Sequence, residues 1–267
     1  DGHFIRPTTQ FRNWVTPDGS ASPSGEGGFP AEGGRYHLYV SLSCPWAHRT
    51  IIFRKLKALE NVISMSVVSP DMGREGWTFN KSEGSTGDEV NRKSKLSEIY
   101  LLANPRYSGR VNVPVLWDKE RKTIVNNESP EIIRMLNSAF DAFTNVHTDY
   151  YPKNLRTEID RLNDLVYPNI NNGVYRAGFA TTQAAYEQAF RNVFDTLEEI
   201  EQILSQHRYL VGNAITEADW RLFCTLIRFD AVYYSHCKCN WRRISEFPNL
   251  SNYVRDLYQV PGVAETV

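Results

Sequence analysis

Apolar residues alternate with polar ones in "RYHLYVS" (35–41), recur at helical spacing in "WAHRTIIFRKLKALE" (46–60) and run together in "VISMSVV" (62–68). The pattern predicts a strand, an amphipathic helix and a second strand. A βαβ unit of this size brings its two strands together in parallel. Residues 69–92 break the pattern: polar, charged and glycine-bearing, they read as a long insertion with Trp77 and Phe79 as its aromatic exceptions. "SKLSEIYLLA" (94–103) predicts the next helix. "VNVPVLWD", "KERK" and "TIVNNES" predict strand, turn and strand over 111–129, and 130–138 a further helix. From residue 152 only helical periodicity remains, over 154–168, 181–205, 216–232 and 248–258. Residues 1–34, with "TPDGSASPSGEGGFPAEGG", have no apolar period and are expected to form an extended arm.

The order β-α-β-α-β-β-α over residues 35–140 is that of a thioredoxin-like α/β domain, and 152–267 is read as a second, all-α domain. The clearest helix start in the latter is "ITEADW". Thr216 is placed to cap, Asp219 to answer it three residues on, and Ile215 and Trp220 to staple the entry.

A length of 267 residues accommodates about two domains, and 41% hydrophobic with 23% charged residues is an ordinary globular balance. No run of 18 apolar residues is present, so no membrane span is expected. Lys and Arg number 30 against 31 Asp and Glu, with no basic block to follow a phosphate backbone, which argues against nucleic acid as a partner. Four cysteines in a chain this long do not read as a disulfide framework and point to a reducing, cytoplasmic setting. The chain begins at Asp1 rather than Met, which leaves a removed organellar targeting peptide or a trimmed start open.

Cys44, in "SLSCPWAHRT", falls where the first strand gives way to the first helix. Helix N-terminal N–H groups lack intrahelical partners and the dipole favours an anion, so a thiolate is favoured there. An ordinary thiol titrates at about 8.5, and a helix start can lower this to roughly 3.5–7.5. A dithiol redox pair would need a second cysteine where Ala47 stands. A lone thiol can form a mixed disulfide but needs an external thiol, such as glutathione, for release. The plainer reading is a buried structural cysteine. His48, a turn further on, is read as a solvated or packing residue.

Two further features point to a thiol peptide beside Cys44. Val113 and Pro114 open a predicted central strand, where proline is restricted to strand starts, edges or bends. In thioredoxin-like folds this proline is cis and exposes the preceding backbone; ordinary edge placement is the alternative. In "NESPE", Ser129 as N-cap and Pro130 at the first helical position offer N–H groups to a carboxylate, with Glu128 placed to take an ammonium. Together these suit the zwitterionic γ-glutamyl end of a peptide, or form a plain helix cap.

With these residues assembled, the chain closely resembles the glutathionyl-hydroquinone reductases, the Xi class of glutathione transferases. The resemblance rests on "RPTTQFRNW", "YVSLSCPWAHRT", "DMGREGWTF", "GRVNVPVLWD", "NNESPEIIRML", "NNGVYRAGFA", "ITEADWRLF" and "RFDAVYYSHCKCN", in order along nearly the whole chain. It implies glutathione transferase architecture, commonly as a homodimer, with Cys44 catalytic. Trp77, Arg110, Val113, Glu128 and Ser129 then bind glutathione as co-substrate, and Tyr175 and Tyr233, joined by Tyr167, face a quinone. Relatives usually continue past "VPGVAETV", and Cys237 stands where the family commonly has an aromatic.

The implied reaction is glutathione-dependent reduction of glutathionyl-hydroquinones through a Cys44–glutathione mixed disulfide, with Tyr175 and Tyr233 donating to the ring and no metal required. Alternatives are a broader cysteine-type thiol transferase, dehydroascorbate reduction included, or a non-catalytic binder of glutathione or aromatic ligands. Trp77 and Arg110 are also compatible with structural roles. "HCKCN" brings His236, Cys237 and Cys239 together, but no second ligand pair supports zinc. Cys224 is read as core, and Tyr234 as turned away from its neighbour Tyr233.

Overall fold

A computed structural model describes residues 1–22, 24–81 and 84–267. The chain divides into two compact units: residues 9–148 with 261–267, and residues 1–8 with 149–260.

The first unit is built on four strands: β1 (Tyr36–Val40), β2 (Ser64–Val67), β3 (Val115–Asp118) and β4 (Thr123–Asn126), in the order β2-β1-β3-β4. β1 and β2 run parallel with Leu38 opposite Met65, as the βαβ pattern requires, while β3 is antiparallel to both β1 and β4. All five residues of β1 are buried, as expected of a strand covered on both faces. Helix α1 (Pro45–Leu56) follows β1, α2 (Leu96–Ala103) precedes β3, and α3 (Ser129–Ser138) follows β4 and packs against α1. Arg35 and Asp118, both buried, form an ion pair at 2.6 Å that ties the entry of β1 to the end of β3. Asp118 also accepts from the N–H groups of Glu120 and Arg121, shaping the β3–β4 turn.

The expected arm is not a single extended segment. Residues beyond Thr8 pair along the outer edge of β4, where Asn13 N–H donates to the Val125 carbonyl at 3.0 Å and Asn127 N–H to that of Phe11 at 3.2 Å. These hydrogen bonds cover an edge that strands otherwise leave open, and further along the same segment Val15 and Phe29 are buried. Residues 1–8 group instead with the helical unit. The far end is divided as well: residues 261–267 leave the expected 152–267 domain and pack on α1. A Thr266–His48 hydrogen bond at 2.9 Å and a Glu265–Lys55 ion pair at 2.7 Å hold them.

The helical unit contains α4 (Arg156–Val166), α5 (Gly173–Gly178), α6 (Gln183–Gln206), α7 (Glu217–Arg228) and α8 (Pro248–Tyr258). Two predicted helices stop short because α4 and α7 each pass into a five-residue π-helical turn, Tyr167–Asn171 and Phe229–Tyr233. The capping signal of "ITEADW" is present. Asp219 is fully buried and accepts from Thr216 N–H (2.7 Å), Thr216 Oγ1, Leu210 N–H and the Tyr253 hydroxyl. Burial raises its pKa against the pull of those four donors.

Candidate active site

The site begins at the junction of β1 and α1. Cys44 has extended backbone angles (φ −88°, ψ 118°) and stands as the residue before the helix. Its N–H donates to the Ser41 carbonyl at 3.2 Å, and its own carbonyl accepts from His48 N–H at 3.0 Å. The half-buried Sγ lies 3.7 Å from the Val113 carbonyl oxygen. Val113–Pro114 is a cis peptide bond, and Pro114 sits immediately before β3. The structure thus brings Cys44 and Val113 together, with main-chain polar groups beside the sulfur.

His48 is a packing residue, not a solvated one: it is fully buried, with Nε2 bonded to Thr266. The next residue, Arg49, was not singled out in the sequence. It is 1% exposed, stacks its guanidinium 4.7 Å from the Trp46 ring and reaches Ser129 Oγ from Nη1 at 3.4 Å. A buried cation thereby joins the start of α1 to the start of α3.

The start of α3 lies one residue earlier than predicted. Ser129 is already helical, Glu128 holds the extended cap position (φ −113°, ψ 109°), and Pro130 follows in the first turn. The Glu128 carbonyl accepts from Glu131 and Ile132 N–H groups at 3.0 Å, Glu128 N–H donates to Asn126 Oδ1, and Glu128 Oε2 accepts from Thr9 Oγ1 at 2.9 Å. Ser129 therefore meets Arg49 instead of capping the helix. Beneath lies a polar network unmarked in the sequence. The Tyr100 hydroxyl is 2.6 Å from Asn112 Oδ1, and Asn127 Nδ2 donates to both Tyr100 and Asn112. Burial raises the Tyr100 pKa, which keeps it a neutral phenol. The network ties the segment before Val113 to the segment before Glu128.

Trp77 is half-buried in the 69–92 insertion, where its carbonyl accepts from Leu96 N–H at 2.9 Å. The insertion is anchored by Asp88, which accepts from the Tyr39 hydroxyl on β1 (2.9 Å) and from the N–H groups of Val90, Asn91 and Lys93. Arg110 is exposed, and its carbonyl accepts from the Tyr107 hydroxyl at 2.6 Å.

In the helical unit, Tyr175 on α5 and Tyr233 at the end of the second π-helical turn meet with their hydroxyls 3.1 Å apart and their rings at 73°. Tyr233 is 2% exposed and Tyr175 half-buried. Tyr167 opens the other π-helical turn and is half-buried. Tyr234 turns elsewhere, under the Arg243 guanidinium 4.0 Å from its ring.

Residues 43–139 match the glutathione S-transferase N-terminal domain and residues 183–256 the glutathione S-transferase C-terminal domain. The chain is 59% identical over 267 residues to glutathionyl-hydroquinone reductase YqjG of Escherichia coli (strain K12), covering 100% of this chain and 81% of that one. It is 51% identical to glutathionyl-hydroquinone reductase PcpF of Sphingobium chlorophenolicum, covering 100% and 82%. The chain belongs to the Xi class of the glutathione S-transferase family. The glutathione-bound structure of YqjG superposes with a TM-score of 0.95 over 97% of this chain and 84% of that one, at 59% identity. The Xi glutathione S-transferase of Phanerochaete chrysosporium superposes at 0.94 over 99% and 84%, at 48% identity.

The other thiols of this glutathione S-transferase sit in different surroundings from Cys44. Cys224, Cys237 and Cys239 are buried, Cys224 within α7 as expected of core. Burial pushes the Cys237 thiol up and the Cys239 thiol to about 12, which leaves both protonated and poorly nucleophilic. His236 is exposed, and among the described residues no group of three His, Cys, Asp or Glu side chains gathers to hold a metal.

Proposed function

We propose that this transferase reduces glutathionyl-hydroquinones to hydroquinones with glutathione as reductant, through a Cys44–glutathione mixed disulfide. The observation that carries the proposal is the position of Cys44 Sγ at the start of α1, 3.7 Å from the carbonyl preceding cis Pro114. The names of two relatives at 59% and 51% identity support the same activity. An extended glutathione would lie with its cysteinyl backbone along Val113. Its γ-glutamyl end would meet Ser129 and the carboxylate of Glu128, and Trp77 and Arg110 would hold the remainder.

In the substrate, sulfur joins glutathione to an aromatic carbon. Once the ring takes its keto tautomer, the Cys44 thiolate attacks the glutathione sulfur, a Cys44–sulfur bond forms and the carbon–sulfur bond breaks. Its electron pair passes into the ring carbonyl as an enolate, and protonation returns the hydroquinone. Tyr175 and Tyr233 would donate to the ring oxygen as that charge develops, and Tyr167 would line the same pocket. A second glutathione thiolate then attacks the mixed disulfide, releasing oxidised glutathione and the Cys44 thiolate. The ring carbon is reduced, the thioether sulfur of the conjugate and the thiol sulfur of the second glutathione are oxidised to the disulfide, and no metal takes part. Membership of the Xi class implies a homodimer, and four cysteines that form no disulfide suit a reducing, cytoplasmic setting.

The test is turnover of a glutathionylated hydroquinone by wild type and by Cys44→Ser, with intact-mass measurement of the protein. Wild type is expected to acquire one glutathione and to release hydroquinone, and Cys44→Ser to do neither. A wild type that binds the conjugate without gaining glutathione is a non-catalytic binder, and the proposal fails.

A further inference from the structure

The phenol pair has a neighbour that the proposed reaction does not use. The Arg6 guanidinium lies over the Tyr175 ring, 5.2 Å from its centroid, and 5.5 Å from the Phe4 ring. Its orientation is set by Asn172, whose Oδ1 accepts from Arg6 Nε at 2.9 Å. Asn172 is itself fixed: its N–H donates to the Tyr167 carbonyl, and its own carbonyl accepts from the N–H groups of Tyr175 and Arg176. One buried residue thus joins the π-helical turn of Tyr167, the helix of Tyr175 and the side chain of Arg6. On the same side, Phe179 stacks on Tyr175 at 6.2 Å and 20° and meets Phe4 at 5.3 Å, yet remains 52% exposed. The exposed ring of Phe179, with half-buried Phe4 and Tyr175 against it and a cation and a phenol pair alongside, forms a surface suited to an aromatic ring bearing a negative charge.

We propose that Arg6 is a specificity-determining residue that selects hydroquinone rings carrying a carboxylate, which its guanidinium binds while the ring lies against Phe4, Phe179 and Tyr175. The assignment rests on the hydroquinone reaction above. Guanidinium is suited to the task because its planar fork matches a carboxylate and remains charged at every working pH, and because stacking on rings costs it little hydration. Arginine at a sequence-remote N-terminal position would thereby read a substituent that the thiol chemistry ignores.

The experiment compares kcat/KM on three glutathione conjugates: those of 2,5-dihydroxybenzoate, its methyl ester and unsubstituted hydroquinone. The enzymes are wild type, Arg6→Met and Arg6→Lys. Wild type is expected to prefer the acid over the ester by about tenfold, the worth of one charge-assisted contact. Arg6→Met should erase that preference while changing the ester and the unsubstituted conjugate less than about twofold, and Arg6→Lys should keep a reduced preference. A wild type active on all three conjugates without preferring the acid overturns the role of Arg6 alone. So does an Arg6→Met variant that loses activity equally on charged and uncharged conjugates. A wild type inert toward all three overturns the reaction and the assignment together.

Discussion

Tyr233 places its hydroxyl 3.1 Å from that of Tyr175 while its ring is buried, so replacing it with phenylalanine removes a donor without opening a cavity. Tyr233→Phe is expected to lower kcat on a glutathionyl-hydroquinone by about 10²-fold, the lower range for a general acid, and to change turnover of a simple glutathione mixed disulfide less than about threefold. Equal losses on both substrates would remove the phenol pair from the chemistry. His37 offers a separate test at this scale. Its imidazole is buried in β1 with Nδ1 2.7 Å from Ser64 Oγ, and burial lowers its pKa from the usual 6.5 to about 4. Between those values the unfolded chain takes up a proton that the folded chain does not, so stability falls as pH drops from 6.5 towards 4. The loss reaches up to about 3 kcal/mol. Urea titrations across this window should show it, and His37→Gln should flatten the slope.

Secondary elements carry different information from single residues. The capping box at α7 was legible because Thr216 and Asp219 act through local main chain. Its further partners, Leu210 N–H and the Tyr253 hydroxyl, come from elsewhere in the fold. Asp219→Ala leaves four buried donors unanswered and should cost roughly 3 kcal/mol or more, visible as a lowered thermal midpoint. The π-helical turns were not legible: "YPNIN" and "FDAVY" keep enough apolar spacing to continue an α-helix, and only packing places an extra residue in each turn. The six-residue α5, which carries Tyr175, is likewise too short to impose a period. At the insertion, Asp88→Ala removes the anchor to β1, and KM for glutathione is expected to rise several-fold with kcat little changed. An unchanged KM would separate Trp77 from glutathione binding.

At the scale of the whole molecule, the four thiols divide by environment. Cys44 is half-buried at a helix start, whereas Cys224, Cys237 and Cys239 lie in the interior. Iodoacetamide at neutral pH should therefore label one cysteine, Cys44, in the native protein and all four after unfolding. Labelling of a second thiol in the native state would contradict this burial.

What the chain determined alone is local or periodic. The parallel β1–β2 pair, the β3–β4 hairpin, the α7 cap and the cysteine at a helix start follow from spacing and from residues adjacent in sequence. Tertiary structure decided whatever depends on distant chain meeting. The N-terminal residues divide between two units, residues 261–267 pack on α1, His48 becomes buried, and Arg49 reaches Ser129. Tyr175 and Tyr233, 58 positions apart, become one hydrogen-bonded pair. The physical reason is that hydrogen-bond and stacking partners are set by through-space distance, whereas a sequence pattern reports only which face of its own element a residue occupies.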